Sequence, residues 1–194
     1  VGVNTFTGPT FINGGSVDLA SDAALAGAVQ NNATFVVRGR VAGLVVNNGS
    51  LTSTGRLNGG LFNALGAMAN LSGQVNGAVD NAGLITLTGT TTGIGAVGQS
   101  ATGVFDLAGF DTSFGSLQGA GSVELGEATL TLGGNNANTG FSGVISGEGG
   151  LTKIGSGTFQ LFGTQSYTGL TRVSGGSLVL SDGSLAGSVL NNAN

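Results

Sequence analysis

Few residue types in this sequence can do chemistry, and nearly all of them are carboxylates and arginines. Histidine and cysteine are absent, so Ser/His/Asp and Cys/His nucleophile systems cannot be assembled, and imidazole or thiolate metal sites are excluded. The nine acidic residues are spread along the chain. Because a calcium site needs clustered oxygen ligands, the sequence predicts no metal site, and nothing in it indicates a cofactor.

Three acidic residues are candidates for catalysis. Asp111 lies in FDTSF, which resembles one catalytic loop of an aspartic protease, but the second loop needed for a shared-proton pair is missing. Glu124 and Glu127 in VELGE have the residue type of a glycosidase acid and base. The alternation of this segment predicts that Leu125 faces inward and Glu124 faces water. The sequence therefore predicts no catalytic residues and a protein that is not an enzyme.

The arginines form the one unusual charged feature. Of five cationic residues four are arginines, and Arg38, Arg40 and Arg56 lie close together in the sequence. Arg40 and Arg56 occupy the same position in consecutive repeats, so they are expected to stack about 5 Å apart. The sequence predicts a basic ridge that could bind an anionic glycan or a carboxylate-bearing partner, with solubility and edge protection as the alternative roles. The net charge of −4 argues against nucleic acid or an anionic membrane as partner.

The ridge is carried by a repeat. Segments beginning at Gly39, Gly55 and Gly73 align as GRVAGLVVNNGSL, GRLNGGLFNALGA and GQVNGAVDNAGLI, and further copies occur upstream and near the end of the sequence. Alternate residues are apolar or small, which predicts strands with one side buried. Such a short repeat can bury that side only by stacking on its neighbours. The sequence therefore predicts an all-β parallel solenoid of about ten coils, on the order of 50 Å long.

The alternation assigns an inward-facing series to each copy of the repeat. The predicted inward positions are Leu25, Gly27, Val29, Asn31, Ala33, Phe35; Val41, Gly43, Val45, Asn47, Gly49, Leu51; Leu57, Gly59, Leu61, Asn63, Leu65, Ala67; Val75, Gly77, Val79, Asn81, Gly83, Ile85; and Leu185, Gly187, Val189, Asn191, Ala193.

One asparagine recurs in each inward series, at Asn31, Asn47, Asn63 and Asn81. An unpaired buried amide costs about 1–3 kcal/mol, so the recurrence needs a physical reason. In stacked coils each carboxamide can donate to the next one and accept from the previous one. These residues are predicted to form a structural ladder and not a ligand site.

The second half of the sequence resembles a known family. Gly149 to Leu180 reads GGLTKIGSGTFQLFGTQSYTGLTRVSGGSLVL, which resembles the passenger-associated transport repeat of type V secretion autotransporters. Phe105 to Gly134 is similar to the coils that precede that repeat. Asn4 to Leu19 aligns without a gap to Gln165 to Leu180, so both ends of the sequence have the same repeat type.

The resemblance implies a right-handed parallel β-helix exported across the outer membrane of a Gram-negative bacterium, with a translocator barrel further along the full protein. We expect residues 1–194 to be a single segment of a longer passenger, with short asparagine-ladder coils over 1–100 and transport-repeat coils over 101–194. Bare strands at Val1 and Asn194 fit an excised piece.

The expected location is the bacterial surface or the secreted fraction, and the leading hypothesis for function is adhesion through a rigid, weakly charged surface. Expected partners are a host cell receptor, a glycan, extracellular matrix, or the same protein on sister bacteria. Two alternatives remain open at this point: a released effector that engages a host receptor, and a passive stalk that carries a functional head.

Overall fold

A computed structural model describes residue 4 and residues 6–193, and all the regular structure in these residues is β-strand. Val1 and Asn194, where bare strands are expected, lie outside the described residues. The all-β prediction is confirmed.

The strands are short and separated by tight turns. Their bounds are β1 Thr10–Ile12, β2 Ser16–Leu19, β3 Ala24–Leu25, β4 Val29–Asn31, β5 Thr34–Val37, β6 Arg40–Val41, β7 Val45–Asn47, β8 Ser50–Ser53, β9 Arg56–Leu57, β10 Leu61–Asn63, β11 Met68–Leu71, β12 Gln74–Asn81, β13 Leu84–Leu87, β14 Thr92–Gln99, β15 Val104–Asp106, β16 Thr112–Phe114, β17 Ser116–Gly119, β18 Ser122–Glu124, β19 Leu130–Leu132, β20 Thr139–Phe141, β21 Val144–Ser146, β22 Leu151–Lys153, β23 Thr158–Phe162, β24 Thr171–Val173, β25 Ser177–Ser181 and β26 Val189–Asn191.

Three parallel sheets form the sides of the molecule. Sheet A runs β1-β4-β7-β10-β12-β14-β17-β20-β23-β25, with β3, β6 and β9 joining it through β12; sheet B runs β2-β5-β8-β11-β13-β15-β18-β21. Sheet C runs β16-β19-β22-β24-β26, and β16 contacts β14. Each strand pairs with the equivalent strand one coil away, so the chain is a parallel β-solenoid of about 10 turns, as predicted.

The core is a set of columns along the solenoid axis. Val29, Val45 and Leu61 occupy equivalent positions of successive coils in sheet A, and each is at most 1% exposed. Phe35 and Leu51 form a similar column in sheet B and are fully buried. Because each apolar residue packs on its counterparts in the coils above and below, burial depends on neighbouring layers.

The inward position predicted for Leu65 is wrong, since this side chain is 73% exposed. The segment from Asn63 to the start of β11 is two residues longer than the equivalent segment from Asn47 to the start of β8. As a result Ala69, and not Ala67, pairs with Leu51. The extra residues form a turn in which Gly66 has φ +77°. An insertion of two residues preserves the alternation, and therefore the sequence pattern conceals it.

The last described coil is less buried than its sequence pattern predicts. Val189 is in register with the fully buried Thr171, yet Val189 is 55% exposed and Asn191 is also exposed. Leu185 is half-buried. Among the described residues no strand packs on the far side of β26. The sequence of this coil therefore alternates as in the other coils, but its inward side chains are not covered by a further layer.

Candidate functional site

Two of the three arginines of the predicted ridge, Arg40 and Arg56, face solvent in adjacent layers. β6 and β9 pair in parallel with Arg40 opposite Arg56 and Val41 opposite Leu57. Val41 and Leu57 are completely buried, so the alternation of the strand directs both arginines outward, where they are exposed. Their backbones are therefore about 4.8 Å apart, and both side chains leave the same outward face in successive layers.

Arg38 lies just after β5 and has a different environment. Its Nη1 is 2.8 Å from Asp18 Oδ2, and both side chains are about half exposed. This is the one ion pair within residues 4 and 6–193, so Arg40 and Arg56 have no carboxylate within 4 Å among those residues. An exposed pair of this kind contributes only about 0–1 kcal/mol to stability. Two of the three arginines are thus without a counter-charge among residues 4 and 6–193.

The three arginines border a groove, which we call the arginine groove and define by Arg38 and Thr54 on one wall and Arg40, Arg56 and Gln74 on the other. Gly39, Gly55 and Gly73 form its floor, and its volume is about 580 Å³. The three arginines of the predicted ridge therefore line one groove that crosses stacked layers.

The floor has to be glycine because the backbones of successive turns touch there. A Cβ atom built on Gly55 would overlap the carbonyl oxygen of Gly39, and one built on Gly73 would overlap that of Gly55. The same requirement that lets the coils stack therefore removes every side chain from the floor. The groove is a consequence of close backbone packing with long polar side chains on both sides.

The groove changes character along its length. Gln74 is in register with Arg56, and Thr92 in the next layer is in register with Gln74. Thr90 and Thr92 complete the far end of the groove. One end is therefore cationic and the other carries amide and hydroxyl groups, which are hydrogen-bonding but uncharged.

The asparagines Asn31, Asn47, Asn63 and Asn81 are in register on the inward side of sheet A. Asn31 Nδ2 donates to Asn47 Oδ1 at 2.7 Å, Asn47 Nδ2 to Asn63 Oδ1 at 2.8 Å, and Asn63 Nδ2 to Asn81 Oδ1 at 2.9 Å. All four residues are at most 2% exposed.

Each of these side chains also ties its coil to a neighbour through the backbone. Asn31, Asn47 and Asn63 donate to the carbonyl oxygens of Ser50, Met68 and Leu84 respectively. The chain of amides ends at Gln99, which is in register with Asn81 but donates instead to Ser122 O at 2.7 Å. The buried Oε1 of Gln99 has no hydrogen-bond partner.

Replacing Asn63 by leucine is expected to lower the free energy of unfolding by about 1–3 kcal/mol, because it removes the acceptor of Asn47 and the donor to Asn81. Chemical denaturation followed by circular dichroism measures the change. Asn48 follows Asn47 in the coil before Asn63 and donates to Asn32 at an exposed position, so Asn48→Leu is the matched control and should change stability by less than about 0.5 kcal/mol. Equal effects of the two substitutions would contradict a structural role for the inward amides.

The acidic candidates lie at turns and on outward faces. Asp111 Oδ1 accepts a hydrogen bond from the backbone N–H of Thr129 in the next coil at 2.7 Å. Asp106 Oδ1 accepts from the N–H of Ala108 at 2.8 Å. Glu124 is exposed, opposite Asp106 on adjacent strands of sheet B. Within the described part of the chain, no group of three or more potential metal-binding side chains is found.

Sequence analysis missed a buried polar cluster in the second half of the chain. Lys153 is 1% exposed, and its Nζ donates to the carbonyl oxygens of Ile154, Gly155 and Gly175. Burial lowers the pKa of Lys153. The sequence pattern does indicate this burial, because Lys153 lies two residues after Leu151 in the strand Leu-Thr-Lys and so has the same inward direction.

Two further buried polar residues belong to the same coils. Gln165 Oε1 accepts from the N–H of Ile145 at 2.8 Å, and its Nε2 donates to the carbonyl oxygen of Gly143. The hydroxyl of Tyr167 is 2.6 Å from that of Thr171, and burial raises the pKa of Tyr167. The Gln165 contacts join adjacent coils, and the Tyr167 contact with Thr171 closes a local turn within one coil. These buried polar residues therefore serve the fold.

The sequence signature of the passenger-associated transport repeat matches residues 1–19 and 151–180. Two relatives show what the chain is similar to. The chain is 44% identical over 97 residues to the Adhesin BmaC autotransporter of Brucella suis biovar 1 (strain 1330), a match that covers 47% of this chain and 3% of the relative. It is 42% identical over 81 residues to the Neisserial autotransporter lipoprotein NalP of Neisseria meningitidis serogroup B (strain ATCC BAA-335 / MC58), covering 37% of this chain and 8% of that relative. No solved structure matches the chain.

These matches confirm the resemblance to autotransporter passengers, and with it the expected location at the bacterial surface or in the secreted fraction. The chain spans only a small part of the length of either relative. The adhesin name of the Brucella relative and the solenoid fold are consistent with a non-enzymatic role. In the described part of the chain, no helix has the length and apolar character required to cross a bilayer.

Proposed function

We propose that this chain, a β-solenoid segment similar to autotransporter passengers and carrying their transport repeat, is a non-enzymatic adhesive surface that contacts host cells, matrix or sister bacteria. The observation that carries the proposal is the stack of in-register layers. It repeats similar outward side chains along a rigid rod, so weak contacts can add up over the length of the rod. We also propose that the full protein carries the outer-membrane translocator barrel that the resemblance implies.

The surface chemistry supports contact with a partner. Charged residues are only 7% of the sequence, far below the roughly 25% of an average soluble domain. Large apolar side chains are exposed, among them Phe11 at 59%, Met68 at 51% and Val144 at 46%. A rod with few charges has little electrostatic repulsion to overcome when two surfaces meet.

Purified, labelled chain should bind cultured host cells saturably and should be displaced by an excess of unlabelled chain. If binding rises linearly with concentration and is not displaced, adhesion to host cells is excluded; if bacteria that display the chain also fail to clump, the chain is a passive stalk. Clumping of bacteria that display the chain would support the variant of the proposal in which the rods bind each other. Cell signalling triggered by nanomolar monomer would support the alternative of a released effector.

A further inference from the structure

We propose that the arginine groove binds an acidic polysaccharide whose chain lies along the solenoid axis, with its anionic groups on Arg40 and Arg56. The inference rests on the proposed function, because it names the chemistry of one partner of the adhesive surface. It also assigns a role to a pair of side chains that the fold itself does not require.

The pairing of Arg40 with Arg56 is electrostatically unfavourable in the free protein. Like charges directly opposite each other on adjacent strands destabilise a sheet. No carboxylate of the described residues is within 4 Å of either guanidinium, although the chain has nine acidic residues against five basic ones. An anion that bridges the two arginines would remove this repulsion and form charge-assisted, bidentate hydrogen bonds with both.

The remaining lining selects a sugar among anionic partners. Beyond the arginines the groove offers the hydroxyls of Thr54 and Thr92 and the amide of Gln74, and it has no aromatic ring. Hydroxyl and amide groups pair with sugar hydroxyls, whereas single-stranded nucleic acid is bound through aromatic stacking.

The shape of the groove fits an extended chain. Arg40, Arg56, Gln74 and Thr92 lie on consecutive strands, so the wall extends over about 14 Å. The floor of Gly39, Gly55 and Gly73 has no side chains that would block passage. Successive sugar units of an extended polysaccharide can therefore reach successive layers, with sulfate or carboxylate at the arginines and hydroxyls at the far end.

The test is binding of the 194-residue chain to a heparin-derived oligosaccharide, measured by titration calorimetry at low and physiological salt. The double substitution Arg40→Ser and Arg56→Ser is expected to weaken binding at least tenfold. Arg172 is exposed on sheet C and does not line the groove. Arg172→Ser removes one positive charge, as Arg40→Ser alone does, so these two single substitutions are the matched pair, and Arg172→Ser should retain near wild-type affinity. Circular dichroism checks that every variant is folded.

Several outcomes would overturn the inference. Wild-type chain that fails to bind the heparin oligosaccharide excludes the site, and so does equal weakening by Arg172→Ser, which would indicate general charge attraction. Equal binding of a single-stranded DNA of similar charge would contradict selection of a sugar. If the doubly substituted chain loses heparin binding and still binds cells saturably, that result would leave the proposed function in place without this site.

If the chain binds heparin but does not bind cells, the polysaccharide site is supported and the proposed function is not. The groove would then be a polysaccharide site, and the adhesive role proposed for the rod would be wrong. The two proposals can therefore fail separately. Hyaluronan, which carries carboxylates and no sulfate, distinguishes the two sources of anionic charge: weak binding relative to heparin assigns the arginines to sulfate, and equal binding assigns them to carboxylate.

Discussion

Val45→Asp is expected to lower the free energy of unfolding by about 3–5 kcal/mol, the cost of an uncompensated charge in an apolar interior. Val45 is fully buried between Val29 and Leu61 in adjacent coils, and no cation lies on the inward side of these strands. For a chain of this size the loss corresponds to a decrease in melting temperature of about 6–20 °C. Thermal denaturation followed by circular dichroism near 215 nm measures it.

The neighbouring residue provides a control that differs only in direction. Val46 lies on the outward side of the same strand, between Gln30 and Phe62, so Val46→Asp introduces the same group into a half-exposed position. We expect a change below about 1 kcal/mol. If the two variants melt at the same temperature, the assignment of inward and outward faces in this region is wrong.

Substitution of Val79 extends the same argument along the rod. Val79 is in register with Leu61 and is fully buried, so Val79→Asp should match Val45→Asp in effect. A solenoid is stabilised by contacts between nearest neighbours, so each charge should first unfold the coils next to it. Limited proteolysis should then cut near the substituted coil and leave distant coils protected.

The period of two in the sequence predicted the fold because it is a direct consequence of strand geometry. Val41, Gly43 and Val45 are two residues apart, a spacing that keeps side chains on one side of a strand but on different faces of a helix. A solenoid follows because neighbouring copies must bury those sides together. For the same reason the in-register pairing of Arg40 with Arg56 was predictable from an alignment of the repeats.

The details that the sequence did not predict depend on contacts between segments far apart in the chain. Leu65 has the correct parity for burial, but a two-residue insertion moves it into a turn, and parity is insensitive to such an insertion. The arginine groove has a floor only because Gly39 and Gly55 touch in adjacent layers. This contact between glycines forms only when the coils stack. The alignment of the repeats showed the arginines in one column, which indicated a ridge, but it could not show the glycine floor beside them.

Lys153→Met is expected to lower the free energy of unfolding by about 3–5 kcal/mol, an effect comparable to that of Val45→Asp. Methionine keeps the length and apolar stem of the side chain but has no donor, so it leaves the carbonyl oxygens of Ile154, Gly155 and Gly175 without the ammonium hydrogen bonds. Each unsatisfied buried acceptor costs about 1–3 kcal/mol. Denaturant unfolding followed by circular dichroism measures the loss, which should be concentrated in the coils around β22 and β24.

The control removes a positive charge from the outward side of the next coil. Arg172 is exposed on β24, beside the position where Val173 packs against Lys153, and Arg172→Met should change stability by less than about 0.5 kcal/mol. If Lys153→Met were neutral or stabilising, the desolvation of the ammonium group would outweigh its three hydrogen bonds. The burial that lowers the pKa of Lys153 is the term that opposes those bonds. A large loss in Lys153→Met beside a small one in Arg172→Met would therefore show that hydrogen bonding to turn carbonyls decides the balance, and that this lysine fastens consecutive turns as the asparagines do earlier in the chain.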